Sequence, residues 1–493
     1  MYNLGLDIGT SFIKAALTEC SSGNKVNLVS EPSSEQEIIV CKDGWAEQNP
    51  EIWWKNTCLA IKNLISLNNI NPSLISGIGI SYQMHGLVLL DSKGNSLRNS
   101  IIWCDDRAVD IGKQAFTELG QIKCINQLLN SPANFTASKL KWVKNNENEL
   151  YNKIYKFMLP GDYIAYRLSG EMTTTKTGLS EAMLWDYKNN SVADFLLKHY
   201  EIDSSLIPKI VPTFGFQCKL NKKGSSECGL LEDIPIYYRA GDQPNNALSL
   251  NVLKPGEIAT TAGTSGVVFA VTDNVKTNES ERINNFLHVN INNSISLGKL
   301  LCINGAGIQY AKLKNELNID SYVEMNKLSS VVEVGSKQLT YLPFGNGSER
   351  MLNNINIGSK MLNFDINIHK KEHVIRATLE GIAFAFVYGM QILINDGVKP
   401  KVIRAGNDNL FKSKVFGETI STLINTDIEI YETTGAIGAA RAVDLRNGDF
   451  NKFGNNIIDN DFLKTFSPQP NLNDYKNAYN LWVEKLELTL KIK

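Results

Sequence analysis

The chain has little that would hold a structural metal, a disulfide framework or a bilayer. Its eight cysteines run from Cys20 to Cys302 without a CxxC pair, and the nearest two, Cys218 and Cys228, stand ten residues apart. That spacing excludes a zinc knuckle and reads as free thiols in a reducing compartment. Five histidines supply no HExxH zinc pattern. Charge of one sign is missing too: 50 Lys and Arg against 51 Asp and Glu leave a net charge of −1, so neither a nucleic-acid surface nor a charged tail is indicated. No basic-then-apolar leader opens the sequence, and no apolar run approaches the ~20 residues that span a bilayer. The expectation is a soluble cytoplasmic protein that binds neither nucleic acid nor membrane. At 493 residues, 43% of them hydrophobic and 20% charged, the chain exceeds one core, and two or three domains are expected.

What the chain does have is one short design used twice. Residues 7–18 read DIGTSFIKAALT and residues 261–272 read TAGTSGVVFAVT. Laid over each other, Gly9, Thr10 and Ser11 fall on Gly263, Thr264 and Ser265, Ala16 on Ala270 and Thr18 on Thr272. Each copy is a strand, a small-residue tip and a second strand, a β-hairpin, and the repetition suggests an internal duplication. A Gly-Thr-Ser tip lets backbone N–H groups approach an anion and adds hydroxyl donors, which suits phosphate oxygens. An ordinary small-residue turn would read the same if either copy stood alone. An acid accompanies each copy, Asp7 just before the first and Asp242 upstream of the second, as a phosphate site requires where carboxylates hold Mg2+ or activate an attacking hydroxyl.

Along the chain, Asn49 or Pro50 starts a helix to about Leu67. Ser76–Ser81 is a buried strand that ends in Gln83-Met84-His85-Gly86, and Trp103-Cys104-Asp105-Asp106-Arg107 opens a helix. Polar and aromatic residues at strand ends are where α/β proteins place ligand contacts, so His85 is a candidate substrate contact as well as a candidate core histidine. Asp106 and Arg107 read equally as a structural pair. A helix is expected over Asn134 to Asn146, a loop over the hydroxyl-rich Thr173–Ser180, and a decoration of the first domain over Asp203–Lys223. The domain boundary falls near Leu250 to Pro255, giving domains 1–250 and 251–493. In the second half, CINGAG (Cys302 to Gly307) is a strand end before a helix, and His373–Ile394 a long helix in which Gly381 permits tight packing. Gly-rich turns at 305, 406 and 435 suit a nucleotide. The tail from Asn451 reads as a polar loop and one helix, Tyr475–Leu490. Asn-rich stretches such as Asn68-Asn69, Asn189-Asn190 and Asn292-Asn293 read as loops.

Taken together, and in this order, DIGTSFIK, QMHGLVLLD, WCDDRA, GDQPNNA, AGTSG, GAGIQ, PFGNGSER, RATLEGIAFA and GAIGAARA resemble the FGGY carbohydrate kinases, over about residues 2–443. QMHGLVLLD and WCDDRA look like the substrate side of its xylulokinase branch. The resemblance implies an α/β fold of two RNase H-like domains, as in the actin, hexokinase and Hsp70 superfamily, around a central cleft, and ATP-dependent phosphorylation of D-xylulose to D-xylulose 5-phosphate. It implies Asp242 as the general base, and Asp7, with Asp242, at Mg2+. Thr10, Ser11, Lys14, Gly263, Thr264 and Ser265 would lie at phosphate oxygens, and Gly305, Gln309, Gly406 and Asn409 by the adenosine. Met84, His85, Asp242 and Gln243 would line the sugar site, with Trp103 and Asn134 beside them, and a homodimer would be in keeping with the family. The chain departs from the family pattern at Asn134, Gln243, Asn363 and Ala405-Gly406-Asn407; Gln243 looks more like glycerol kinase. Another ketose or polyol such as ribulose or glycerol, or a non-catalytic sugar sensor on the same fold, stays open at this point.

Overall fold

The structure, a computed structural model, describes residues 1–289 and 296–492; the Asn292-Asn293 pair read as loop lies outside the described residues. The chain divides into two compact units. The first comprises Met1–Asn251, Phe286–Ser296 and Thr433–Asn460, and the second Val252–Asn285, Leu297–Glu432 and Asp461–Lys493. The chain therefore leaves the first unit at Asn251, but two later segments return to it, so a single cut of the sequence at residue 250 does not separate the units.

The first unit is built on a six-stranded sheet. Its strands are β1 (Tyr2–Ile8), β2 (Ile13–Glu19), β3 (Lys25–Glu31), β4 (Ile75–Tyr82), β5 (Phe214–Lys219) and β6 (Pro235–Gly241), in the order β5-β6-β4-β1-β2-β3. β1, β4 and β6 run parallel, whereas β2, β3 and β5 join antiparallel. Leu4, Leu6, Ile78 and Ile80 are fully buried. Side chains alternate across a strand, and the positions between them, Gly5 and Gly79, are bare because the helix Gly435–Ala442 lies there. A Cβ on Gly5 would sit 1.9 Å from the Ala436 carbonyl oxygen, and one on Gly79 1.9 Å from that of Ala439. The helix Pro50–Leu67 packs on β2 and β3. It starts where the sequence predicts, with Asn49 as its cap accepting the Glu51 N–H at 2.9 Å and Pro50 in the first turn.

The second unit repeats the plan. β7 (Glu257–Ala262), β8 (Gly266–Thr272), β9 (Leu297–Ile303), β10 (Val402–Gly406), β11 (Ile428–Tyr431) and β12 (Phe462–Phe466) stand in the order β9-β8-β7-β10-β11-β12 within a seven-stranded sheet. The signs of pairing match those of the first sheet: β7 with β8 and β8 with β9 antiparallel, β7 with β10 and β10 with β11 parallel, β11 with β12 antiparallel. The two Gly-Thr-Ser hairpins, β1–β2 and β7–β8, occupy equivalent places, which is the duplication suggested by their sequences. The core gathers round the helix Lys371–Asn395, whose Ile375, Leu379, Ile382, Phe386 and Met390 are fully buried. By length and composition this helix could cross a membrane, a run the sequence reading passes over, but most of it is packed inside the unit. Gly381 lets the Tyr341 carbonyl approach, since a Cβ there would stand 2.1 Å from that oxygen.

Three expectations are corrected. Thr173–Ser180 is not a loop: Thr173–Thr175 pair as a strand with Lys209–Val211, and the Thr175 hydroxyl caps the helix Lys176–Glu181 by accepting the Gly178 N–H at 3.0 Å. Threonine suits both a strand and an N-cap. Within Asp203–Lys223, β5 is an edge of the main sheet rather than a decoration. The tail holds a helix, Phe450–Asp461, and the strand β12 before its last helix, Leu472–Ile492.

Candidate active site

In the first unit, three parallel strands end together. Ile8 pairs with Tyr82, and Tyr82 with Gly241, so the residues that follow, Gly9-Thr10-Ser11, Gln83-Met84-His85 and Asp242, leave the same edge of the sheet. That edge, at the carboxyl ends of parallel strands, is where open α/β sheets bind ligands. Asp7 lies on β1 opposite Lys14 on β2. Burial raises the Asp7 carboxyl above the usual range, and Lys14 opposes the rise. A Cβ on Gly435 would stand 2.8 Å from Asp7 Oδ2, so glycine lets the start of that helix close on the acid; the Asn245 amide fixes the Gly435 carbonyl at 2.9 Å. Asp242 opens the helix Asp242–Ser249. Burial, then the nearby Asp7, pushes its carboxyl up to about 7, and hydrogen bonds from the Gln243 backbone and side chain oppose this. Two carboxyls so close cannot both ionise freely. Met84 packs against Gly241, where a Cβ would meet its Cγ at 2.5 Å.

The first tip is held by amides that the sequence reading passed over. The Gln48 amide donates to the Thr10 carbonyl at 2.8 Å, and the Gln36 backbone N–H donates to the Ser11 carbonyl at 2.9 Å. These bonds tie down carbonyl oxygens of the tip, and the Gly9 N–H closes it by donating to the Phe12 carbonyl at 3.1 Å. The Thr10 hydroxyl donates to Gln83 Oε1 at 3.1 Å and accepts from the Trp103 indole at 3.0 Å, which joins the first tip to Trp103 of the WCDDRA stretch. Within that stretch Arg107 pairs with the fully buried Asp105 at 2.6 Å and with Glu47 at 2.8 Å. The structural pair is thus Arg107–Asp105, not Arg107–Asp106. Asn134 donates its amide to the Asp105 carbonyl.

His85 adopts φ 63°. Its backbone N–H donates to Glu181 Oε2 at 3.0 Å, and its Nδ1 lies 3.0 Å from the Glu181 carbonyl oxygen. Its own carbonyl accepts from Lys139 Nζ at 3.0 Å. The ring sits against Phe135 and Phe286, with centroids at 4.8 and 5.3 Å. Burial drives the Glu181 carboxyl well above the ordinary range and lowers Lys139 to about 7. Glu181 was hidden inside a stretch read as a loop. Lys139 carried a signal, a cation at an inward position of an apolar helix.

In the second unit, Gly263-Thr264-Ser265 joins β7 to β8, and the start of the helix Gly307–Glu316 is fastened to it. The Gly307 N–H donates to the Gly263 carbonyl at 2.8 Å and the Ile308 N–H to that of Thr264 at 3.1 Å. Glycine is required at 307, where a Cβ would stand 2.3 Å from the Gly263 oxygen. Beside this junction lies a cavity of about 340 Å³ lined by Gly263, Thr264, Tyr310, Tyr322, Asn326 and Asn409, among others. The Tyr310 and Tyr322 rings stack at 5.8 Å, and the Tyr310 hydroxyl donates to Asn326 Oδ1 at 3.1 Å. The cavity has the size and lining of a small-molecule pocket and opens beside the Gly263-Thr264-Ser265 tip. Of the residues expected at the adenosine, Asn409 lines this cavity, whereas Gly305, Gln309 and Gly406 do not. Gln309 is buried and accepts the Tyr341 hydroxyl at 2.7 Å. Gly305 instead donates its N–H to Glu349 at 2.7 Å, as Asn304 does at 3.0 Å; burial pushes the Glu349 carboxyl up to about 7. His369 and His373, four residues apart at a metal-like spacing the sequence reading overlooked, serve instead as acceptors for the Asp365 and Lys370 N–H groups. Among the described residues no group of three or more His, Cys, Asp or Glu converges on one point.

The comparisons with known proteins bear on the same features. A xylulose kinase of Staphylococcus xylosus is 28% identical over 494 residues, 98% of this chain and 99% of its own. Among solved structures, the xylulose kinase of Rhodospirillum rubrum superposes with a TM-score of 0.88 at 22% identity, covering 100% of this chain and 99% of that one. The glycerol kinase of Plasmodium falciparum, solved with ADP, does so with a TM-score of 0.89 at 20% identity, covering 99% and 98%. At those identities the two structures speak for the fold, that of two-unit sugar kinases. Residues 2–249, which carry the first phosphate-type loop, the His85 turn and Asp242, match the model of the FGGY family of carbohydrate kinases, N-terminal domain, and by that match the chain belongs to the FGGY family and is an ATP-dependent sugar kinase.

Proposed function

We propose that the acceptor is D-xylulose and the product D-xylulose 5-phosphate, with Asp242 as the general base. The observation that carries this reading is Asp242 itself, a half-buried carboxyl raised to about 7, at the end of β6 and beside the turn that holds Met84 and His85. A base poised near working pH takes a proton most effectively. In the proposed step the terminal hydroxyl of the sugar gives its proton to Asp242 as its oxygen bonds to the γ-phosphorus of ATP, and the bond to the β-phosphate oxygen breaks to release ADP. Met84, His85 and Gln243, with Trp103 and Asn134 beside them, hold the sugar. Thr10, Ser11, Lys14, Gly263, Thr264 and Ser265 supply donors and charge for the phosphates, and the Tyr310–Tyr322 cavity takes the base. The Asp7 and Asp242 carboxyls, both half-buried and close enough to perturb one another, fit Mg2+, which takes few carboxylates and completes its shell with water and phosphate oxygens. Bound there, Mg2+ supplies charge to the phosphates. Phosphoryl transfer needs little more than such positioning and charge stabilisation. The similarity to proteins named xylulose kinase supports the choice of sugar. Gln243 speaks for the second reading, another ketose or polyol.

The test is ADP release with Mg-ATP over D-xylulose, L-xylulose, D-ribulose, L-ribulose and glycerol, with Asp242→Ala alongside. The expected result is turnover on D-xylulose that falls by about 10²–10⁴-fold in Asp242→Ala, with ATP binding retained. Normal turnover in the variant removes Asp242 from the role, and preference for another acceptor moves the choice of sugar to Gln243 and Asn134.

A further inference from the structure

We propose that Glu181 and Lys139 are positioning residues of the acceptor side: together they hold His85 in its left-handed backbone conformation and in the Nδ1–H tautomer, the geometry in which it meets the sugar. The inference rests on the reading of His85 as an acceptor contact.

A non-glycine residue at φ 63° persists only where its surroundings impose it. Here the two polar ends of one residue are gripped by two buried ionisable side chains. The His85 N–H donates to the Glu181 carboxyl at 3.0 Å, and its C=O accepts from the Lys139 ammonium at 3.0 Å. Both gripping side chains are buried, Glu181 to 2% exposure and Lys139 to 0%, where such hydrogen bonds are strong and rigid. Lys139 is itself fixed by a second donation, to the Ile102 carbonyl at 2.7 Å. The ring orientation comes from the same place. The Glu181 carbonyl oxygen, 3.0 Å from Nδ1, has lone pairs and no proton, so Nδ1 must carry the hydrogen and, in the neutral ring, Nε2 keeps its lone pair. Phe135 and Phe286 close on the ring. The helix that carries Glu181 also steadies Phe286, because the Ser180 hydroxyl accepts the Leu287 N–H at 2.9 Å. One short helix thus sets the backbone, the tautomer and the packing of His85. A buried acid that merely filled space would not put both its carboxyl and its carbonyl on the same residue.

Two measurements test this. The first uses the wild-type protein with 15N-labelled histidine, the His85 resonances being identified by their loss in His85→Asn. The expected spectrum at pH 7–8 shows His85 protonated at Nδ1 and not at Nε2, opposite to the preference of a free histidine side chain; a His85 protonated at Nε2 alone overturns the proposal. The second is steady-state kinetics on the sugar that the wild type phosphorylates. Glu181→Gln keeps an oxygen to accept the His85 N–H, whereas Glu181→Leu does not. The sugar KM is expected to rise roughly tenfold or more in Glu181→Leu and in Lys139→Met, as for a buried polar group left without its partner, to stay near wild type in Glu181→Gln, and the ATP KM to be unchanged in all three. A Leu variant with the wild-type sugar KM, or a Gln variant as impaired as Leu, overturns it. If Glu181→Leu does not fold, the tautomer and the Gln variant still decide. If no sugar is phosphorylated at all, the proposed function has failed, and the spectrum still judges the grip on His85 separately.

Discussion

Glu349 carries a carboxyl to a fully buried position, where two backbone N–H groups are its partners. Burial raises its pKa to about 7 from an ordinary 4.5. The folded chain therefore holds a proton between those values that the unfolded chain has lost. Stability from this group is complete below pH 4.5 and is lost as pH rises through 7, by about 3 kcal/mol. Urea unfolding from pH 4.5 to 8 should show wild type losing that much relative to Glu349→Gln, with the difference flat above pH 7; a constant difference across the range would contradict the shift. At Gly435 the argument is steric. Alanine there places a Cβ 2.8 Å from Asp7 Oδ2, so Gly435→Ala should displace the acid and lower kcat by roughly tenfold or more, read by ADP release. At this scale the sequence was legible in placement where a motif named its residues: Asp242 follows a strand end and both tips turn hairpins, as read. It was illegible where a residue acts through another: Glu181, Gln48 and Glu349 touch backbone atoms far away in sequence, and no local pattern announces that.

Elements with strong periodicity were readable, and those that owe their form to partners were not. The helix Lys371–Asn395 and the capped helix Pro50–Leu67 follow from spacing and from Asn49-Pro50. β5 and β12 do not, because a short edge strand has only its neighbour to define it. The run of three threonines at 173–175 was misread as a loop for the same reason, since its ladder partner, Lys209–Val211, lies more than thirty residues on. The contact between the helix Gly435–Ala442 and the sheet depends on two absent side chains. Gly79→Ala would drive a methyl to 1.9 Å from the Ala439 carbonyl and lift the helix off β1 and β4. The expected cost is about 1–3 kcal/mol, as for other overpacked sites, seen as a lower melting temperature of the first unit, while a surface substitution such as Lys153→Ala leaves it unchanged.

The first unit borrows Thr433–Asn460 from the far end of the chain. A fragment ending at Asn251 lacks the helix that lies over Gly5 and Gly79 and would leave that face of the sheet open to water. Such a fragment should aggregate or lack near-UV circular dichroism. The same fragment with residues 433–460 appended through a flexible linker should be monodisperse and show fixed aromatic signals. A well-folded 1–251 fragment would mean that the helix is dispensable. The fold class was legible because nine motifs in order resemble a family of known fold, whereas the return of the chain was not, since nothing in the composition of 433–460 marks which unit it serves. The repeated sheet has a further consequence. Two copies with one strand order form an inheritance in which each half can drift alone: the loops at one sheet's edge can change while those of the other stay as they were.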